Sequence, residues 1–269
     1  MTAGPSRIVR SFDGTPIAVF STGGGPPLIL VHGASADHTT FRVVGPRFAA
    51  RFTVHAIDRR GRGASGDGPA YAIEREYEDV AAVAEMLAAG SGAAVDVFGH
   101  SYGGRCALGA ALLTGTIRRV VSYEGAPAPA GSAYQPTGIE SRLRDRLAGG
   151  DRDGALALFL TDVVGMSTAD LAAYRADPIW PVRAAAAGSI LRELEAEADP
   201  AASLERLGVV RQPVLQLLGG DSLPVFRDAT KALDERLADG RVVVIAGARH
   251  AAHHTHPDVM VEAVEAFLA

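Results

Sequence analysis

Hydrophobic positions in this chain fall into short dense runs, separated by longer stretches in which they recur every three or four residues. The runs at residues 27–31 (PLILV), 52–57 (FTVHAI), 93–98 (AAVDVF), 118–123 (RRVVSY), 213–218 (PVLQLL) and 241–245 (RVVVI) have the length and β-branched content of buried strands. Residues 6–11 and 16–21, joined through Asp13-Gly14, predict an opening hairpin. Strand-like runs alternating with helical stretches predict an α/β fold, with a mostly parallel sheet covered on both faces. Each run ends in a turn rich in Gly, Asp, Glu or Ser, and in such sheets ligands bind just beyond the carboxyl ends of the strands.

The alternation breaks between residues 126 and 207. A Pro- and Ala-rich start (APAPAGSAYQP) leads into amphipathic helical stretches at 138–147, 153–160 and 167–175, and a further one at 181–198 after Trp180-Pro181. An insertion of this size exceeds what a connecting loop needs. The expected organisation is one core domain, 1–125 with 208–269, and a helical cap, 126–207. Phe159, Met166, Ile179 and Trp180 of the cap can face its own core or a substrate, and burial in the core is the commoner fate of such residues.

The chemistry concentrates at GHSYGG, residues 99–104, between the run ending at Phe98 and a helical stretch from Arg105. Strand, GxSxG, helix is the context in which a sharp turn lifts the central side chain clear of the backbone, with glycines where a Cβ would collide. Ser101 is therefore the expected nucleophile. A serine hydroxyl needs a base, and the base needs a carboxylate to orient it, in the chain order Ser, acid, His. His250, in the loop after the last predicted strand (VVVIAGARHAAHHTHPD), supplies the base. Its neighbours are His253, His254 and His256, and His250, His253 and His254 have helical spacing that also suits a metal, but no HExxH pattern or neighbouring acid supports one, and the neighbours are expected to open the last helix. Backbone N–H groups of Tyr102 and of Ala34, in HGAS after LILV, are the expected oxyanion donors.

Composition narrows the alternatives. The 269 residues are 48% hydrophobic, enough for one substantial core, and the formal net charge of -5 argues against nucleic acid. The Arg59, Arg60, Arg62 cluster is too short to reverse that. Cys106 is the only cysteine, which precludes an internal disulfide, and it is expected to be a small buried residue. Lys231 is the only lysine and lies in a polar helical stretch, a poor place for Schiff-base chemistry. The first residues, MTAGPSRIVR, lack a secretory apolar region, and no segment has the roughly 18 apolar residues of a membrane span, so a cytoplasmic protein is expected.

HGAS after a strand, DRRGRGASG at residues 58–66, GHSYGG, and a late His followed by Pro257 together resemble the α/β-hydrolase superfamily, in its capped single-domain branch. The likeness runs in order along nearly the whole chain. It implies an α/β-hydrolase fold, a twisted and mostly parallel sheet with helices on both faces and a helical cap. Serine at the elbow sets the chain apart from relatives that attack through an aspartate. The resemblance gives Asp58, Arg60, Gly61, Gly63 and Ser65 a structural role in a turn near the site.

The acid departs from the commonest family pattern. Where an aspartate is usual after the penultimate strand, this chain has Gly219-Gly220-Asp221-Ser222-Leu223-Pro224, which aligns Ser222 with that position and leaves Asp221 one residue early. Glu124, at the end of the preceding strand in VVSYEGAP, is the other candidate and the favoured one. The expected activity is cofactor-independent, metal-free cleavage of a carboxylic ester, thioester or lactone through an acyl-enzyme on Ser101. Medium-sized, largely apolar acyl groups fit the cap composition. The same three residues also serve carbon-carbon bond hydrolysis, perhydrolysis or lyase chemistry in this fold, and a slow-turnover ligand receptor is a further alternative.

Overall fold

The computed structural model describes residues 4–132 and 134–269. Eight strands form one sheet: β1 Arg7–Arg10, β2 Pro16–Gly23, β3 Pro27–Val31, β4 Thr53–Ile57, β5 Val95–His100, β6 Ile117–Tyr123, β7 Val214–Gly219 and β8 Gly240–Ile245. Their order is β1-β2-β4-β3-β5-β6-β7-β8, with β2 antiparallel to both neighbours and all other pairs parallel. The opening hairpin and every predicted strand are present, with bounds shifted by one or two residues.

Period-two alternation divides the core between the two faces. Ile29, Val31, Val95 and Val97 join the cluster under the helices Ile73–Ser91 and Tyr102–Ala111, whereas Leu28, Leu30 and Phe98 join Phe41, Phe48 and the C-terminal helix Pro257–Leu268. A strand buried on both faces must be apolar at every position, and β3 is. The parallel register brings His100 of β5 opposite Tyr123 of β6. The next residue of each strand is Ser101 and Glu124, so the sheet sets these two side by side at its carboxyl edge.

Between β6 and β7 lie the helices Ile139–Ala148, Arg152–Asp162, Thr168–Arg175, Trp180–Ala185, Gly188–Ala196 and Leu204–Leu207. Asp151, Ser167 and Ser203 cap three of them by accepting from N–H groups of the first turn. The helix expected over 181–198 is two helices. The step between them is closed by i to i−3 bonds at Ala187, Ser189 and Ile190, and Gly188 weakens helical continuity there. Each half also has its own anchor: Arg183 binds Asp37, while Glu193 reaches Arg59. His253 and His254 do not open the last helix. They form a separate turn, Ala252–Thr255, because His256 precedes Pro257 and is forced out of helical geometry, at φ −133° and ψ 50°. Among the described residues, no helix is long and apolar enough to cross a membrane.

Candidate active site

Three non-glycine residues among those described have φ in the left-handed region: Ser35 at 50°, Ser101 at 55° and Glu124 at 48°. They follow β3, β5 and β6, so all the strain of this kind gathers at one edge of the sheet. At Ser101 it is held by close packing of the turn. A Cβ on Gly99 would lie 2.3 Å from the Gly103 carbonyl oxygen, and one on Gly103 would lie 2.3 Å from that of Val31. The Ser101 N–H donates to the Tyr123 carbonyl at 2.8 Å, tying the turn to β6.

The Glu124 side chain is fully buried and uses both oxygens. Oε2 accepts from His250 Nδ1 at 2.5 Å, while Oε1 accepts from the Gly219 N–H at 2.7 Å and from the Ser222 hydroxyl at 2.5 Å. Asp221, the alternative acid, lies exposed one residue away, with its N–H bonded to the Ala248 carbonyl. The structure thus brings Glu124, and not Asp221, to His250, and Ser222 serves as a donor to Glu124 from the position where an aspartate was sought. With Nδ1 donating, the other ring nitrogen of neutral His250 carries the lone pair.

Sequence reasoning missed the groups that hold the His250 loop. His100 Nε2 donates to the His250 carbonyl at 2.9 Å, and burial, reinforced by His250, keeps the His100 ring neutral by holding its pKa well below the usual 6.5. The Tyr123 hydroxyl donates to the Arg249 carbonyl and accepts from the Ala252 N–H at 3.0 Å. Only their positions at the ends of β5 and β6 could have marked these two residues.

The HGAS loop is fixed by its carbonyls. His32 Nδ1 donates to the Gly33 oxygen at 2.8 Å while its Nε2 accepts from the Arg59 N–H at 3.0 Å, and Arg59 Nη1 reaches the same Gly33 oxygen at 3.2 Å. A trans peptide directs its C=O and N–H oppositely, so anchoring the Gly33 carbonyl turns the Ala34 N–H away from Arg59. Ala34 and Tyr102 line one cavity with Ser101, Glu124 and His250.

That cavity is about 40 Å³, the space of a water or two. Phe159, Val163, Ile190, Leu194 and Phe226 supply apolar wall, and the charged Arg105, Glu193 and Glu197 also line it. The helices cross the strand ends closely, and buried charges face inward with them. Met166 packs partly buried against the core, and Trp180 is held among the inserted helices by Asp153 and Tyr174.

The arginines of DRRGRGASG are buried ion-pair partners. Arg59 binds Glu76 and Glu193, each at 2.6 Å, Arg62 also binds Glu193, and Arg60 binds Asp79 at 2.6 Å and Asp13 at 2.9 Å. Asp58 accepts from the His38 N–H and ring and from the Ala64 N–H, and Ser65 closes the turn on the Asp58 carbonyl. A Cβ at Gly63 would fall 2.0 Å from the Asp58 carboxylate. Cys106 is buried, and burial pushes its thiol pKa up. No group of three or more His, Cys, Asp or Glu side chains among the described residues is arranged to hold a metal ion.

These features define an α/β hydrolase, and the comparisons with known proteins agree. Residues 28–263 match the model of the alpha/beta hydrolase family, to which the chain belongs. A crystal structure of an alpha/beta hydrolase from Sphaerobacter thermophilus superposes with a TM-score of 0.83 at 33% identity, covering 98% of this chain and 100% of that one. Among curated proteins, a 2-(acetamidomethylene)succinate hydrolase from Mesorhizobium japonicum is 28% identical, over 91% of this chain and 89% of its own. A pimeloyl-[acyl-carrier protein] methyl ester esterase from Nitrosomonas europaea is 26% identical, over 93% of this chain and 98% of its own. These two curated relatives are named for hydrolysis, the second for that of a methyl ester.

Proposed function

We propose that this protein is a serine hydrolase that cleaves a carboxylic ester, thioester or lactone. Ser101 attacks the carbonyl carbon as His250 takes its proton, and Glu124 orients the ring and stabilises the imidazolium. The Ala34 and Tyr102 N–H groups receive the oxyanion. His250 then returns its proton to the departing alcohol, thiol or ring oxygen, leaving an acyl-Ser101 ester. Water, deprotonated by the same ring, attacks that ester and frees the acid.

The observation that carries this reading is the Glu124–His250 hydrogen bond of 2.5 Å, lining one cavity with a serine at φ 55°. Esterase names among the relatives agree with ester chemistry. We read residues 126–207 as a cap that must part to admit substrate, since the cavity beneath it, about 40 Å³, is far smaller than an ester. A fluorophosphonate probe tests the mechanism. It should label Ser101 in the folded protein and not label Ser101→Ala or heat-denatured protein. Absence of labelling on folded wild type removes the reading.

A further inference from the structure

Arg105 is a buried cation one helical turn beyond Ser101, and one nitrogen of its guanidinium, Nε, is unused. Its N–H bonds the Ser101 carbonyl at 3.4 Å, and both residues line the same cavity. The Arg105 side chain is 5% exposed and lines the catalytic cavity. Nη1 binds Glu197 Oε1 at 3.0 Å and Nη2 reaches the Ala126 carbonyl at 3.4 Å, but Nε has no partner among the described residues. The rings of Tyr102 and Tyr134 lie 5.7 and 5.8 Å from the guanidinium carbon and hold the group in place.

Arg105, Tyr134 and Glu197 also line a second cavity of about 810 Å³. They are the partition between the two spaces. Glu197 is the movable member. It follows the last residue of helix Gly188–Ala196, its side chain is 20% exposed, and it meets one prong of the fork. A molecule passing from the large cavity to Ser101 must push Glu197 aside. A buried guanidinium stripped of its anion is costly, so the entering molecule is best accepted if it brings a replacement.

We propose that the substrate bears a free carboxylate a few carbons from the scissile carbonyl, which displaces Glu197 and binds the Nε and Nη donors of Arg105 as a fork. The substrate class is then a short dicarboxylic half-ester, or a lactone carrying a carboxylate. The fit is that of planar carboxylate to planar guanidinium, which Glu197 makes only in part. Neither other carboxylate of the cavity opposes it: Glu124 is committed to His250, and Glu193 lies between Arg59 and Arg62.

This inference rests on the serine-hydrolase reading but is tested without turnover. Binding of monomethyl glutarate and dimethyl glutarate is measured by calorimetry on Ser101→Ala protein. The half-ester should bind about tenfold more tightly than the diester, the usual scale of one charge-assisted pair. Adding Arg105→Gln should bring the two affinities together, and adding Glu197→Gln should widen the gap, because the competing anion is gone. A diester that binds as well as the half-ester overturns the proposal. So does a Glu197→Gln background that leaves the ratio unchanged, which decides the matter even if Arg105→Gln fails to fold. No half-ester binding up to about 10 mM, an affinity too weak to be worth even ~3 kcal/mol, also overturns it. Fluorophosphonate labelling of wild type fails or succeeds independently of these ratios.

Discussion

At the scale of single residues, the proposed acid, Glu124, is the sharpest departure from the common family pattern, and geometry gives it consequences. Glu124 accepts three hydrogen bonds while Asp221 is exposed on its turn. Glu124→Gln should lower kcat for a simple aryl ester by roughly 10⁴-fold, since an amide holds the imidazole in the wrong tautomer. Asp221→Asn should stay within about twofold of wild type, as surface changes do. Equal losses in the two variants would contradict the assignment. Ser222→Ala removes one of the two donors on Glu124 Oε1, and the expected cost in kcat is about tenfold, the scale of one hydrogen bond to a charged group. Ser222 was legible only as the place where an aspartate was missing. That its hydroxyl turns back to the carboxylate from β6 depends on how two strand ends abut, which no linear spacing encodes.

At the scale of elements, the strands and the elbow were readable because their signals are local. A run such as PLILV is apolar at every position whatever its neighbours, and GHSYGG needs glycines wherever the backbone of β3 or of its own helix comes near. Gly103→Ala should therefore be destabilising by on the order of 3 kcal/mol, because the new Cβ meets backbone that cannot withdraw. Urea denaturation measures this, and a loss below about 1 kcal/mol, typical of an ordinary site, would mean the turn relaxes freely. The inserted helices were less legible. The 181–198 stretch keeps a helical pattern across Ala186-Ala187-Gly188, and the break reflects two distant anchors, Asp37 for Arg183 and Arg59 for Glu193. Likewise, the burial of Arg59 and Arg62 was not legible, since the carboxylates that pair with them come from residues 76 and 193.

At the scale of the whole molecule, buried ionisable groups tie stability to composition and pH. Glu193 is 1% exposed and serves two arginines, so Glu193→Ala should cost about 3–5 kcal/mol in chemical denaturation by leaving buried Arg62 without a carboxylate and Arg59 with Glu76 alone. A loss under about 1 kcal/mol would show that solvent reaches them. His32, His100 and His253 are buried with pKa values held well below 6.5, chiefly by desolvation, and His254 is lowered to about 4 for the same reason. The unfolded chain therefore binds more protons than the folded one once pH falls below about 6.5. Stability should be level above that value and decline beneath it, by roughly 1.4 kcal/mol per pH unit for each fully buried ring. Urea midpoints between pH 7.5 and 5 measure the decline, and a flat profile would contradict it. The inserted helices leave and rejoin the sheet at β6 and β7, which are neighbours, so by topology alone the segment is interchangeable. Electrostatics makes it far less so. The core offers Arg62 and Arg105 to Glu193 and Glu197 of that segment, and Arg59 shares Glu193 with its own Glu76, so any foreign segment grafted there must bring its own anions in register or strand two cations in the dark.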